Sequence, residues 1–331
     1  MRKIILFIGV FFITLQLMDA QIIFTDDTTI CSTQPFTLAA FSSDPLLEFS
    51  SDDKFTPVLE IGFSFEFYGN TYDKLIINSN GFLTFDTTNA SVANGFWTIS
   101  TPMPAWNLDD TIWNAIMTPW HDTDPNIGGN VYFGSYGVAP NRVYIVTFCA
   151  LPMYLTSCNS LISTSQVLLY EGSNKIEMNI QEKPICLAHN GGQAVQGLIN
   201  VDGTNFDIVS DPVTGLPRDF PVPWTANNEG WEFLPNGPTS YTINQIPYQV
   251  PAVGVTTWFN AAGDSLGQGP YLNVNPVSTT TYYADMPISC SGISFSDSVT
   301  ITINSTFNIN TSVVNTSCLG NDGSVTLFPD I

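Results

Sequence analysis

Ile61-Gly62-Phe63-Ser64-Phe65-Glu66-Phe67 alternates bulky apolar residues with small or polar ones without a break. A strand turns successive side chains to opposite faces, so this stretch puts Phe63, Phe65 and Phe67 on one side. The same texture runs outward from it. Arg142 to Phe148, Gln166 to Tyr170 and Lys175 to Ile180 read as strands, and Glu171-Gly172-Ser173-Asn174 reads as the hairpin turn joining the last two. Helical periodicity is almost absent after the first twenty residues. Short, evenly spaced strands broken by Gly, Asn, Asp and Pro turns predict an all-β chain built on a β-sandwich.

Turn residues cluster at Pro235-Asn236-Gly237-Pro238, and a first domain is expected to end near residue 240. Two domains are also the default for 331 residues. Residues 241–305 carry strand signals at Thr256 to Phe259, Tyr271 to Val274, Thr279 to Ala284 and Ser298 to Ile303, with Trp258 on an early strand. That pattern predicts a small immunoglobulin-like β-sandwich. Residues 306–331 turn polar and end on another strand-like run, Ser324 to Phe328, which reads as the start of a further repeat in a longer polypeptide.

The chain opens with Met1-Arg2-Lys3, an apolar run from Ile4 to Met18, and the small Ala20. Residues 1–20 therefore read as a secretory signal peptide, the rival being a membrane anchor for which the run is short. Cleavage removes Arg2, Lys3 and Asp19, leaving six basic and 28 acidic residues, a net charge of −22. Such a chain repels phosphate backbones and anionic headgroups, which argues against nucleic-acid partners and against membrane association after cleavage. Its hydrophobic share of 44% is ample for a folded core. Six cysteines (Cys31, Cys149, Cys158, Cys186, Cys290 and Cys318) in an exported chain read as disulfides, and Cys158 with Cys186 is the favoured pair because the two bracket one hairpin-like stretch.

Two segments carry a family resemblance. Ile61 to Asp86 reads IGFSFEFYGNTYDKLIINSNGFLTFD, and Met117 to Tyr136 reads MTPWHDTDPNIGGNVYFGSY, continuing through Gly137-Val138-Ala139-Pro140-Asn141-Arg142. Gln193-Ala194-Val195-Gln196-Gly197 and Trp224 to Trp231 (WTANNEGW) follow in order. These strings resemble the nidogen-type extracellular module, and more closely the amino-terminal domain of large surface proteins of gliding Bacteroidetes. The resemblance covers roughly residues 58–235. It implies a nidogen-like β-sandwich in a secreted or cell-surface adhesin-type protein, exported by the type IX system and associated with gliding. The sorting domain that ends such proteins is not in this sequence.

For chemistry, Asp109, Asp110, Asp122 and Asp124 form the best constellation, with His121 beside them. Asp122 and Asp124 flank one residue, so in extended backbone both point the same way. Hard cations such as calcium take several oxygen ligands, making these four the candidate calcium ligands, although the spacing is not that of an EF-hand loop. The alternative is that the aspartates close an Asx-type turn before Pro125 and Gly128-Gly129. No GxSxG elbow occurs, and an acidic pair for glycoside hydrolysis exists by chance in so acidic a chain. No catalytic residue and no other cofactor is expected. Trp97, Trp106, Trp113 and Trp120 crowd one region: Trp120 reads as core, while Trp97 and Trp106 are left open between core and a ligand-stacking face. The resulting reading is a non-catalytic extracellular binding or structural protein whose partner is a glycan or another protein. The runner-up is a secreted carbohydrate-active enzyme or its binding module.

Overall fold

The computed structural model describes residues 25–30, 34–40, 46–47, 52–93, 95–104, 112–136, 139–251, 256–287, 290, 294–304, 309–314 and 324–329. The signal-peptide reading of residues 1–20 and the calcium candidates Asp109 and Asp110 lie outside the described residues, as does Trp106. Within them the chain is all-β: twenty-two strands and two single-turn 3₁₀ segments.

Two antiparallel sheets make the large sandwich. One has the order β15 (Tyr241–Ile246), β14 (Ala226–Pro235), β11 (Ile176–Lys183), β10 (Ile162–Tyr170), β9 (Val143–Pro152), β8 (Asn130–Tyr136) and β3 (Leu46–Leu47). The other has the order β13 (Phe206–Ile208), β12 (Val195–Ile199), β7 (Ala115–Trp120), β6 (Phe82–Thr84), β5 (Asn70–Asn78) and β4 (Leu59–Phe67). Strand β4 is the alternating stretch, and from Ile61 onward it buries every second residue. Ile61, Phe63, Phe65 and Phe67 enter the core between the sheets, against Val146, Phe148, Val167, Leu169, Met178 and Phe233 of the facing one. Burying a Phe or Leu side chain contributes about 1.5–3 kcal/mol, so this layer dominates the stability of the sandwich. The hairpin expected at residues 171–174 joins β10 to β11, with Leu169 opposite Ile176.

A third sheet contains β1 (Thr28–Ile30), β20 (Ser294–Ile303), β19 (Thr280–Pro287), β16 (Thr257–Phe259) and β17 (Ser265–Gln268), in that order. A two-stranded sheet pairs β18 (Tyr271–Val274) with β2 (Phe36–Ala39). Two strands that precede the large sandwich in sequence thus hydrogen-bond to strands that follow it. Leu38 and Ala40 are fully buried, and Ile30 nearly so, in a cluster with Trp258, Leu272, Tyr282, Met286, Val299 and Ile301. Val143, Ile145, Cys149 and Leu168, on the outer face of β9 and β10, belong to the same cluster. Strand β9 is buried along both faces because the large-sandwich core covers one and this third layer the other. A disulfide between Cys149 and Cys290 ties the layers covalently across 141 residues of sequence. The last strand-like run, β22 (Ser324–Pro329), pairs antiparallel with β21 (Ile309–Val314).

Candidate functional site

The two motif segments of the large sandwich meet. Thr118 N–H donates to Gly81 O at 3.0 Å, and His121 N–H donates to Asn80 O at 3.0 Å. Gly81 has φ +89°, and a Cβ there would sit 2.1 Å from Pro119 O, so only glycine lets the two backbones approach this closely. Asn80 then serves as a bracket: its Oδ1 accepts from Thr123 N–H at 2.9 Å, and its Nδ2 donates to Asp53 Oδ1 at 2.7 Å. The Asn-Gly of one motif thereby sets Asp122 beside Asp53.

Three carboxylates converge here. Oxygens of Asp52, Asp53 and Asp122 all lie within 4.8 Å of one another. Burial, followed by repulsion from Asp53 and then Asp124, pushes the Asp52 carboxyl up to about 7. Asp124 accepts from Asn126 N–H at 2.9 Å, an Asx turn leading to Gly128-Gly129. Of the sequence candidates, then, Asp122 lies in the cluster and Asp124 acts on it electrostatically from the turn. Asp52 and Asp53 were missed by the sequence reading. Their only sequence signal is an adjacent acidic pair in a loop, a common surface feature. The three carboxylates supply hard oxygen ligands of the kind calcium takes.

On the other side, Asp122 Oδ2 is 2.6 Å from His189 Nε2. Burial pulls the His189 imidazole below its ordinary value despite the adjacent carboxylate, so at neutral pH a neutral N–H donates to Asp122. Two rings flank His189: Tyr154, with centroids 4.9 Å apart, and Trp97, at 5.8 Å. Trp97 is 37% exposed and Tyr154 38%, and Asn190 Nδ2 donates to Trp97 O at 2.9 Å. The expected Cys158–Cys186 disulfide is present and joins the loop carrying Tyr154 to the loop carrying His189. Trp120 is fully buried against Phe82, as expected of a core residue. Trp97 is the tryptophan that reaches the surface beside His189.

His121, the histidine next to the candidate carboxylates, faces inward instead. It is 2% exposed, its Nε2 lies 3.1 Å from Ser163 Oγ, and burial pulls its imidazole well below the ordinary value, keeping it neutral. The remaining motif strings also build the interior. Arg218 is fully buried between Trp224 and Trp231, with its guanidinium carbon 4.5 and 5.6 Å from the ring centroids. It donates to Gln196 Oε1 at 2.7 Å and pairs with Asp211 and Glu229. Lys183, 1% exposed, donates to Trp224 O at 2.7 Å. Burial, followed by repulsion from Arg218, brings the Lys183 amine down to about 7. Gln196 and the Trp224–Trp231 string therefore surround Arg218 and Lys183 with a buried polar network.

These features define a disulfide-tied β-sandwich domain of the extracellular type, since disulfides persist in oxidising surroundings. Among the described residues no helix is long and apolar enough to cross a membrane. The model of the NIDO-related family matches residues 28–227, and the chain belongs to that family. No curated protein and no solved structure matches it.

Proposed function

We propose that this chain is a non-catalytic, cell-surface binding protein of the adhesin type, whose ligand, a glycan or a protein, contacts the face formed by Trp97, Tyr154 and His189. One observation carries the reading. Two large aromatic rings are held partly exposed around a hydrogen-bonded histidine, the Tyr154 and His189 loops being clamped by Cys158–Cys186 and Trp97 tied to Asn190. Rigid aromatics give contact area at little entropic cost, and Trp and Tyr are the side chains on which binding energy concentrates. In this reading residues 256–304 serve as an immunoglobulin-like support. The resemblance to surface proteins of gliding Bacteroidetes adds type IX export and a place in gliding or attachment. The test is a screen of immobilised glycans and extracellular-matrix proteins with wild type, Trp97→Ala and Tyr154→Ala. A ligand whose binding falls at least tenfold in both variants is the expected result. Binding that ignores both substitutions overturns the assignment of this face.

A second reading, a secreted carbohydrate-active enzyme, is favoured by the raised Asp52 carboxyl beside Asp53. A protonated acid next to an ionised carboxylate is the pairing that glycoside hydrolysis uses, with the two groups about 5 Å or more apart across the scissile bond. Here the pair comes from adjacent residues of one loop, closer together than that. Turnover of a glycoside that is lost in Asp52→Asn would establish this reading over the first.

A further inference from the structure

Chain order and pairing order disagree at the third layer, and the disagreement has a mechanical meaning. Strands β1 and β2 together with β16 to β20 build one unit, and the large sandwich, β3 to β15, is inserted between them. We propose that this unit is a load-bearing clip: tension along the chain is carried by its first and last strands, while the inserted sandwich and its aromatic face stay out of the load path. The proposal is independent of which ligand that face takes.

The geometry is that of shear. Strands β1 and β20 run parallel, with Thr28 opposite Ile301, Thr29 opposite Thr302 and Ile30 opposite Ile303. The chain entering β1 therefore lies at the Ile301 end of the pair, and the chain leaving β20 lies at the Ile30 end. Pulling on both drives the two strands past each other along their axes, so every bond between them is loaded at once. An antiparallel pair pulled from adjacent ends would open one bond at a time. The ladder is extended at both ends: Asp27 Oδ1 accepts from Thr300 N–H at 2.7 Å, and Asn304 N–H donates to Ile30 O at 2.9 Å. Behind it stands a second attachment, β2 on β18, with Leu38 in the core and Ala40 N–H donating to Pro270 O at 2.8 Å.

The Cys149–Cys290 disulfide adds a limit to extension. If β1 and β2 release, tension enters the sandwich at β3, runs to Cys149, crosses to Cys290 and leaves through β20. The stretch between the two cysteines, a sequence separation of 141, is bypassed and cannot be drawn out.

Single-molecule pulling on the full mature chain, with a handle at each end, tests both parts. The expected trace has a short first release, that of β1 and β2 up to the β3–β8 pairing, before the longer extension of the sandwich. Asp27→Ala, an exposed position whose loss removes one charge-assisted bond, should raise the rate of that first release about tenfold at a given force. Reducing agent should lengthen the fully extended chain by about 490 Å, the bypassed residues at roughly 3.5 Å each. A long sandwich extension that precedes the short release overturns the clip, as does a first-release rate unmoved by Asp27→Ala. A final length indifferent to reduction overturns the role given to the disulfide. Loss of ligand binding in Trp97→Ala with an unchanged trace leaves the clip standing, so the two proposals fail separately.

Discussion

Leu38→Ala is the sharpest test of the interleaved architecture, because Leu38 lies two hundred residues before the strands it is said to stabilise. Its side chain is fully buried among Trp258, Leu272, Met286 and Ile301, and among the described residues β2 pairs with β18 alone. Truncating a fully buried leucine costs about 2–5 kcal/mol, the transfer term plus the cavity left behind. Taking about 3 kcal/mol, the opening equilibrium of the third layer rises by roughly two orders of magnitude. Native-state amide exchange read by mass spectrometry resolves this by segment. Peptides covering Tyr271–Val274 and Thr280–Ile303 should lose protection by about that factor, and those covering Ile61–Phe67 and Phe82–Thr84 should not. Val213→Ala, at a position 91% exposed, is the control and should change neither set. The reasoning is refuted if protection falls in the large-sandwich peptides while Tyr271–Val274 and Thr280–Ile303 keep theirs. Residues 36–39 would then belong energetically to the large sandwich.

Three further outcomes are expected. Arg218→Met leaves Asp211 and Glu229 without their buried cation and should destabilise the large sandwich by about 3–5 kcal/mol in urea unfolding; a loss under 1 kcal/mol would show that the guanidinium contributes nothing net. Stability should have a shallow minimum near neutral pH. Asp52, raised from 3.8 to about 7, is protonated more in the folded than in the unfolded chain between those values, so stability falls as pH rises through that window. Lys183, lowered from 10.5 to about 7, is protonated more in the unfolded chain between those values, so stability rises again from pH 7 towards 10.5. Denaturation midpoints at pH 4.5, 7 and 9.5 check both legs, and Asp52→Asn should flatten the acid one alone. Finally, millimolar calcium should raise the melting temperature of wild type and not of Asp53→Asn; no shift and no calorimetric heat in wild type would remove the cation from this cluster.

Much of this protein was legible in its residues, and the reason is locality. The 61–67 alternation fixes which side of β4 is buried because the side-chain period of a strand is set within the strand itself. The hairpin at 171–174 and the Cys158–Cys186 pair join neighbours in sequence, so short-range turn signals sufficed to place them. Trp120 was readable as core from its place in the Pro119-Trp120-His121-Asp122 motif. The site was only half legible. Asp122 stood out, but its partners Asp52, Asp53 and His189 arrive from 70 residues before and 67 after, and nothing local to any of them announces the others.

The sequence alone determined the all-β class, the inward face of β4 and one disulfide, since period and turn chemistry are properties of a few consecutive residues. Tertiary structure decided where the first two strands go. A three-residue strand such as Thr28–Ile30 carries no pattern that selects its partner; the choice falls to whichever sheet edge and apolar face remain uncovered. Here that surface is built by residues from Thr257 to Ile303 and by the outer side of β9. Strand β9 records this in its own sequence, where Val143-Tyr144-Ile145-Val146 is apolar on both faces, a sign that two layers cover it. Which layers they are is a property of the folded chain, because both are assembled from segments that only folding brings together.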